Sequence, residues 1–198
     1  MSGIYPFNRG NLDLNIQKIA IIGNTASGKS CLSLKLSEEL KIPVFHLDKY
    51  LWRPGWLRIP EDEFTASHNE LISKDSWIID GVAYFSTMEK RLSAADVILY
   101  FDLNPAICKK RALKRMQEEK IRPNPYTNGC PYNETPENIK AQNEVIDYFQ
   151  NDYKLQLDPL VKSFEKKKII IYIRDEIETE ELFIQIMDQL SGSFSGNT

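Results

Sequence analysis

The chain has 198 residues, of which 42% are hydrophobic and 27% are charged, and its formal net charge is −3. These values are typical of one soluble globular domain, and the acidic balance argues against broad nonspecific binding of nucleic acid. The three widely spaced cysteines include no C-x-x-C pair, so they predict neither a zinc site nor a disulfide framework and suit a reducing cytoplasm. No apolar run approaches the roughly 20 residues of a membrane span, and residues 1–15 contain no signal-peptide core.

Predicted strands and helices alternate along the chain after a loose leader over residues 1–15. Short apolar stretches predict strands near 18–22, 43–47, 77–81, 96–102 and 168–173. Helices are predicted near 28–40, 61–74, 86–93, 105–119, 136–157 and 179–190. The remaining segments are a predicted loop over 49–60, an irregular Pro-rich segment over 120–135 and a disordered polar tail over 191–198. This alternation predicts an α/β fold, with a five-stranded parallel sheet and helices on both faces, in a single domain spanning residues 1–190.

One stretch of eight residues matches a phosphate-binding motif at every fixed position. It reads Gly-Asn-Thr-Ala-Ser-Gly-Lys-Ser, which fits G-x-x-x-x-G-K-[ST], and it stands between a predicted strand and a predicted helix. In such a loop the backbone N–H groups surround phosphate oxygens, Lys29 reaches the β- and γ-phosphates, and the Ser30 hydroxyl ligates Mg²⁺. The alternative is a glycine-rich turn that binds nothing. The predicted nucleotide-binding residues are Gly23, Asn24, Thr25, Ala26, Ser27, Gly28, Lys29, Ser30 and Cys31.

Aspartates stand at the carboxyl ends of the predicted strands, where open parallel sheets bind their ligands. Asp80 is predicted to hold Mg²⁺ through water or to orient a nucleophile, the alternative being a turn aspartate of the Asp80-Gly81 pair. Asp48 is predicted to accept a proton or hydrogen bond from a substrate hydroxyl, the alternative being a loop-entry residue that bonds its own backbone. His46 could share that face, although a lone histidine in a strand is more often a packing residue. The absence of a glutamate after Asp80 favours a kinase over a water-activating ATPase.

Aromatic and basic residues predict the acceptor side and a lid. The stretch 52–56, Trp-Arg-Pro-Gly-Trp, is interpreted either as an aromatic wall with a cation or as a loop that covers the core. Arg111 and Arg115 lie four residues apart and therefore on one helix face, and Arg122 follows in the Pro-rich segment. Guanidinium groups on a closing lid over residues 120–135 would neutralise charge on a transferring phosphoryl group, whereas the alternative is a solvated basic stripe.

The phosphate-binding loop, the strand ending in Asp80-Gly81 and the arginine-bearing helix before an irregular lid resemble the P-loop kinases of the adenylate kinase and shikimate kinase type. Four stretches resemble, more narrowly, the small bacterial proteins labelled "DNA topology modulation protein" (FlaR-related kinases). These stretches are 43–48, 51–56, 77–81, and 122–123 with 129–131. The resemblance covers roughly residues 16–185. It implies an adenylate-kinase-like fold, ATP and Mg²⁺, and places adenine near 174–175.

The sequence also departs from the pattern of these families in two places. Val82 stands where the group has a polar residue, so the acceptor pocket is expected to differ. The lid carries one cysteine, which excludes the four-cysteine zinc lid of some adenylate kinases.

The leading hypothesis is an ATP- and Mg²⁺-dependent phosphotransferase acting on a nucleotide, a nucleoside or a related small metabolite. The alternative is a nucleotide-dependent regulatory ATPase that binds DNA or a protein partner, against which the acidity and the missing recognition motif count. A degenerate loop with a structural role is opposed by the intact Lys29-Ser30 pair.

We expect a cytoplasmic monomer or homodimer, without membrane or nucleic-acid partners. The predicted catalytic residues are Lys29, Asp48, Asp80, Arg111 and Arg115. The predicted acceptor region is 49–76, with Asp48, Trp52, Arg53, Trp56, Gly81 and Arg122 as substrate-binding residues, and the predicted metal ligands are Ser30 and Asp80.

Overall fold

The computed structural model describes residues 4–5, 16–119, 127, 129–130 and 134–191. The strands are β1 (Ile4–Tyr5), β2 (Lys18–Gly23), β3 (Val44–His46), β4 (Trp52–Arg53), β5 (Leu57–Arg58), β6 (Trp77–Asp80), β7 (Val97–Phe101) and β8 (Ile169–Ile173). The main sheet has the spatial order β1-β8-β7-β2-β6-β3, and its pairs from β8 to β3 are all parallel. The prediction of five parallel strands is therefore confirmed.

The helices alternate with these strands as predicted. They are α1 (Lys29–Leu40), α2 (Asp48–Leu51), α3 (Glu61–Ile72), α4 (Met88–Ala94), α5 (Pro105–Glu119), α6 (Pro136–Tyr148), α7 (Lys154–Lys162) and α8 (Thr179–Ser191). A 3₁₀ turn, Phe85–Thr87, precedes α4, and a π-helical turn, Phe149–Tyr153, joins α6 to α7. Among the described residues, no helix is both long and apolar enough to cross a membrane.

Side chains of β2 alternate between the two faces of the sheet, as the period of two in a strand requires. Ile19 and Ile21 pack with α1, α5 and α8 on one face. Ala20 and Ile22 pack with α3, α4 and α7 on the other. All four are completely buried, because parallel sheets of this kind are covered on both sides. The prediction of helices on both faces is confirmed.

Three details of the predicted elements were wrong. The leader contains β1, which pairs antiparallel with β8, because the edge of β8 offers unpaired backbone groups to a further strand. The loop over 49–60 holds the last three residues of α2 and a hairpin of β4 and β5. The single helix predicted over 136–157 is interrupted by the π-helical turn and continues to Lys162, with Pro159 inside α7. The predicted tail, except Ser191, lies outside the described residues.

Candidate active site

The phosphate-binding loop connects β2 to α1 at the carboxyl end of the sheet. Gly23 has a φ of +139°, and a Cβ at this position would lie 2.4 Å from the carbonyl oxygen of Phe101 on the adjacent strand. Only glycine therefore allows β2 to turn into the loop while it stays paired with β7. Gly28 has a φ of +104° and forms the N-cap of α1, so the loop ends on the backbone N–H groups of a helix N-terminus.

Lys29 lies within the loop in this structure. Its Nζ donates hydrogen bonds to the carbonyl oxygen of Asn24 at 2.6 Å and to Ser27 Oγ at 3.4 Å. Burial lowers the pKa of the Lys29 ammonium, although the charges of Asp80 and Asp48 oppose that effect. Both acids are therefore close enough to act on the lysine of the loop.

The loop is also held from outside by two helices. Arg111 of α5 donates from Nη1 to the carbonyl oxygen of Ser27 at 2.8 Å. From α6, the carbonyl of Ile146 accepts a 3.0 Å hydrogen bond from Asn24 Nδ2, and Gln142 Nε2 donates to Thr25 Oγ1 at 3.3 Å. These contacts place a predicted arginine against the loop, together with a helix for which the sequence indicated no contact with the loop.

Asp80 is buried at the end of β6, next to the loop. Its Oδ2 lies 3.0 Å from His46 Nδ1 and accepts a 2.9 Å hydrogen bond from Ser33 Oγ. Burial by itself would favour the protonated acid, but the hydrogen bond and charge of His46, and the charge of Lys29, together hold the pKa of Asp80 below its ordinary value. Asp80 is therefore ionised, and since a carboxylate only accepts, Nδ1 of His46 is the donor.

Asp48 is the first residue of α2, and its charge and that of Lys29 act on each other. It is accessible to water but enclosed by protein on most sides, and this partial desolvation raises the pKa of its carboxyl group. The charges of Lys29 and Arg115 counteract the rise, whereas that of Asp80 adds to it. The structure thus brings four predicted catalytic residues into electrostatic contact: Lys29, Asp48, Asp80 and Arg115.

Of the three arginines predicted to lie near the transferring phosphoryl group, the structure describes two, Arg111 and Arg115. Besides its bond to Ser27, Arg111 forms an ion pair from Nε to Glu176 at 3.2 Å, a partner that the sequence did not indicate. Arg115 influences the pKa of both Lys29 and Asp48. Arg122 and most of the predicted lid lie outside the described residues.

The tryptophan segment forms the hairpin of β4 and β5. The rings of Trp52 and Trp56 meet edge-on, with centroids 5.5 Å apart, and both are half-buried. Arg53 pairs on the exposed side with Glu63, at 2.6 Å and 2.7 Å. Cys130, from the predicted lid, docks on this hairpin, since its Sγ accepts from the backbone N–H of Trp56 and donates to the carbonyl of Arg53, each at 3.3 Å. The hairpin and the lid segment are therefore in contact.

The donors fit Mg²⁺ bound in the manner of phosphate-binding loops. Mg²⁺ in such sites needs one hydroxyl and one carboxylate, with phosphate oxygens and water as its other ligands. Ser30, at the start of α1, would supply the hydroxyl, and ionised Asp80 would supply the charge. No cluster of three or more His, Cys, Asp or Glu that could hold a metal by itself occurs among the described residues. The fit is therefore to a nucleotide-bound ion.

The third strand-end acid, Asp102, has a structural partner on each side. Lys154 Nζ lies 2.6 Å from Asp102 Oδ1, and Arg174 Nε lies 3.5 Å from Oδ2. Arg174 also stacks on the ring of Tyr172, 4.7 Å from its centroid. Asp102 thus links β7 to α7 and to the end of β8. The placement of adenine near Arg174 stays a prediction.

Comparison with known proteins identifies the fold. No protein-family model matches the chain. No curated protein matches it either. Among solved structures, the shikimate kinase from Acinetobacter baumannii in complex with shikimate is 15% identical, with a TM-score of 0.60, covering 92% of this chain and 97% of that one. The shikimate kinase from Aquifex aeolicus is 18% identical, with a TM-score of 0.50, covering 91% and 99%. A gluconokinase from Sinorhizobium meliloti is 13% identical, with a TM-score of 0.50, covering 89% and 93%. The chain therefore has the P-loop fold found in shikimate kinases.

Proposed function

We propose that this protein is an ATP-dependent phosphotransferase that acts on a nucleotide, a nucleoside or a related small metabolite. One observation carries the proposal: two aspartates at the carboxyl edge of the sheet, Asp48 and Asp80, both act by their charge on Lys29 of the phosphate-binding loop. A loop that only binds nucleotide does not need a second carboxylate on the acceptor side. The kinases with the same fold support a small-molecule acceptor.

The donor side of the cleft would hold ATP. Its phosphates would lie on residues 23–31, and Lys29 would leave the carbonyl of Asn24 for the β- and γ-phosphates. Arg111 and Arg115 would stabilise the charge that builds up on the transferring group. Mg²⁺, held by Ser30 and through water by Asp80, would neutralise phosphate charge when bound.

The two aspartates are suited to different roles, because their environments shift their pKa values in opposite directions. Asp80 stays ionised and would hold the charges of Lys29 and of the metal in place. Asp48, with its raised pKa, would accept the proton of the acceptor hydroxyl as that oxygen attacks the γ-phosphorus and the bond to the β-phosphate oxygen breaks. The products would be the phosphorylated acceptor and ADP.

The acceptor would bind between Asp48 and the hairpin, within the region 49–76. The edge-on pair of Trp52 and Trp56 offers an apolar wall for a planar group, which favours a base-containing acceptor. Gly81, next to Asp80, lies so close to Leu47 that an added Cβ would be 3.3 Å from the Leu47 Cβ, so a side chain at this position would press on Leu47. The narrower kinship with the FlaR-related proteins also stays a proposal.

A screen of phosphoryl acceptors tests the proposal. ADP production is measured with ATP and Mg²⁺ in the presence of nucleosides, nucleoside monophosphates, sugar acids and simple polyols. We expect ADP release that depends on one class of acceptor and that vanishes in the Lys29→Ala variant. Release that no acceptor stimulates would instead support the regulatory ATPase, and salt-sensitive binding of DNA would then be examined. No release under any condition would contradict both.

A further inference from the structure

The thiol of Cys130 lies inside the turn that joins β4 to β5. In this turn, residues 53–56, Pro54 and Gly55 stand where a type II turn favours proline and glycine, and the φ of Gly55, +81°, fits its third position. Such a turn is often closed by a hydrogen bond from the N–H of its fourth residue, here Trp56, to the carbonyl of its first, Arg53. Both groups bond to Cys130 Sγ, which accepts from Trp56 and donates to Arg53, each at 3.3 Å. The thiol therefore bridges the two groups that close the turn.

Trp56 adopts a backbone conformation that large side chains avoid. Its φ is +59°, in the left-handed region, where the Cβ of any residue other than glycine crowds the following carbonyl. Such a conformation persists where the surrounding contacts determine it, and it is concentrated at active sites and ligand-binding segments. The hydrogen bond from the Trp56 N–H to Cys130 is one of those contacts, because it holds the strained residue by its own backbone.

Cys130 is itself held by a short turn. Its N–H donates to the carbonyl of Thr127 at 2.9 Å, and Thr127 Oγ1 donates to the carbonyl of Cys130, also at 2.9 Å. Both residues are buried, with 4% of Thr127 and 2% of Cys130 exposed. A single rotatable bond separates the cysteine backbone from its sulfur, so a fixed backbone leaves Sγ few positions. The thiol therefore reaches the hairpin from a fixed support.

A continuous series of contacts joins the turn to Asp48, the proposed base. The backbone N–H of Trp52 donates to the carbonyl of Asp48 and ends α2. The ring of Trp52 meets that of Trp56 edge-on, with centroids 5.5 Å apart. Trp56 is bonded in turn to Cys130. The conformation of the turn therefore decides where the Trp56 ring lies relative to the helix that begins at Asp48.

The base of the hairpin is anchored independently of Cys130. The N–H of Ile59 donates to the carbonyl of Leu51 at 2.9 Å, and the hydroxyl of Tyr84 donates to the carbonyl of Ile59 at 2.6 Å. The loss of the thiol should therefore loosen the turn while the hairpin stays attached to the protein.

We propose, on the basis of the phosphotransferase function above, that Cys130 is a positioning residue for the acceptor. Its thiol fixes the turn over 53–56 in the conformation that sets the ring of Trp56 against that of Trp52, one helical turn after Asp48. The wall offered to the acceptor is then formed before the acceptor binds, which lowers the entropy cost of binding. The thiol accordingly serves acceptor affinity and not ATP affinity.

Tryptophan fluorescence tests the positioning without any acceptor. Trp52 and Trp56 are half-buried, whereas Trp77, the third tryptophan of the sequence, is completely buried. We expect Cys130→Ala to shift the emission to longer wavelength and to increase quenching by acrylamide, because the hairpin rings become more exposed. Cys130→Ser keeps a shorter hydroxyl group and should fall between alanine and wild type. The control is Cys108→Ala, which removes a buried thiol from the core on the other face of the sheet from Trp77 and should leave the emission unchanged.

Steady-state kinetics test the consequence for the acceptor. The second substrate is the nucleoside, nucleoside monophosphate, sugar acid or polyol that the screen above identifies. Cys130→Ala should raise the KM of this acceptor by about 3- to 10-fold, the range of a lost hydrogen bond, and leave the KM of ATP unchanged. If the alanine variant does not fold, Cys130→Ser serves for both measurements.

A merely structural Cys130 would lower the melting temperature on substitution without changing the emission. Unchanged emission and quenching in both Cys130 variants would therefore overturn the proposal, as would an equal rise in KM for the acceptor and for ATP. Changed emission in a protein whose ADP release no acceptor stimulates would leave the positioning of the hairpin standing and remove the kinase function. Acceptor-dependent turnover with unchanged emission in the variants would do the reverse.

Discussion

His46 and Asp80 occupy partner positions on the neighbouring parallel strands β3 and β6, and their side chains meet with Nδ1 3.0 Å from Oδ2. Because both are buried, this contact fixes the orientation of the Asp80 carboxylate, whose charge acts on Lys29. A histidine that resembles a packing residue in the sequence is therefore a positioning residue of the proposed site.

Removing the hydrogen bond between His46 and Asp80 should lower the activity, although the Asp80 carboxylate itself remains in the site. We expect His46→Ala to raise the pKa of Asp80 and to reduce kcat by roughly 10- to 100-fold, the range of a lost hydrogen bond to a charged group. The measurement is the pH profile of kcat, whose acidic limb should move to higher pH. Ser33→Ala, which removes the other bond to the same oxygen, should act in the same direction. An unchanged profile in both variants would contradict the role of this network.

Lys29→Ala should abolish ATP-dependent transfer while the fold is retained. The hydrogen bonds of the Lys29 side chain go to Asn24 and Ser27 of its own loop, so its removal takes away the charge meant for the phosphates and little packing. ADP release and the thermal unfolding curve are measured on the same sample. Normal turnover would eliminate the assignment of residues 23–30 as the donor site.

Asp48→Asn should reduce kcat by about 10²- to 10⁴-fold, the usual contribution of a general base. Since burial raises the pKa of Asp48, the wild-type rate should increase with pH through a value above the ordinary aspartate range, as the carboxylate becomes ionised. The asparagine variant should lack that limb. Asp102→Asn is the control, because the Asp102 carboxylate pairs with Lys154 and Arg174 and does not act on Lys29. A wild-type rate that is flat across the acidic range would argue against Asp48 as base.

Gly23→Ala should destabilise the protein by at least about 3 kcal/mol, since its Cβ would overlap backbone atoms of Phe101 that cannot move cheaply. Gly55→Ala is the matched control. It too has a positive φ, +81°, but nothing lies within 4 Å of an added Cβ, so it should lose only about 1 kcal/mol through backbone strain. Urea unfolding measures both. Similar losses at the two positions would refute the steric explanation.

His68 should make the protein sensitive to acid. Its folded-state pKa, about 4, lies below the ordinary value of 6.5, so the unfolded chain binds the proton first. The associated stability is complete above pH 6.5 and is lost as the pH falls toward 4, by up to about 3 kcal/mol. We expect His68→Leu to flatten this part of the curve of unfolding free energy against pH. The same acid slope in the variant would assign it to other groups.

The sequence anticipates those parts of the fold and site that depend on neighbouring residues. Residues Gly23 to Ser30 form a contiguous motif, and the buried strands are recognisable as short apolar runs, because each of these patterns spans only a few neighbouring residues. The predicted boundaries of helices and strands were less accurate. The π-helical turn at 149–153 lies within one helical pattern, and β1 forms only because the edge of β8 is available.

By itself, the sequence determined that this chain alternates strands with helices and carries a phosphate-binding loop, since local propensity and contiguous motifs encode both. Only the tertiary structure decided which distant side chains meet. The order of the strands places His46 beside Asp80, and the path of α6 brings Ile146 to Asn24. Each of these contacts joins residues far apart in the chain, and their cause is the burial of both faces of one sheet, which no local pattern specifies.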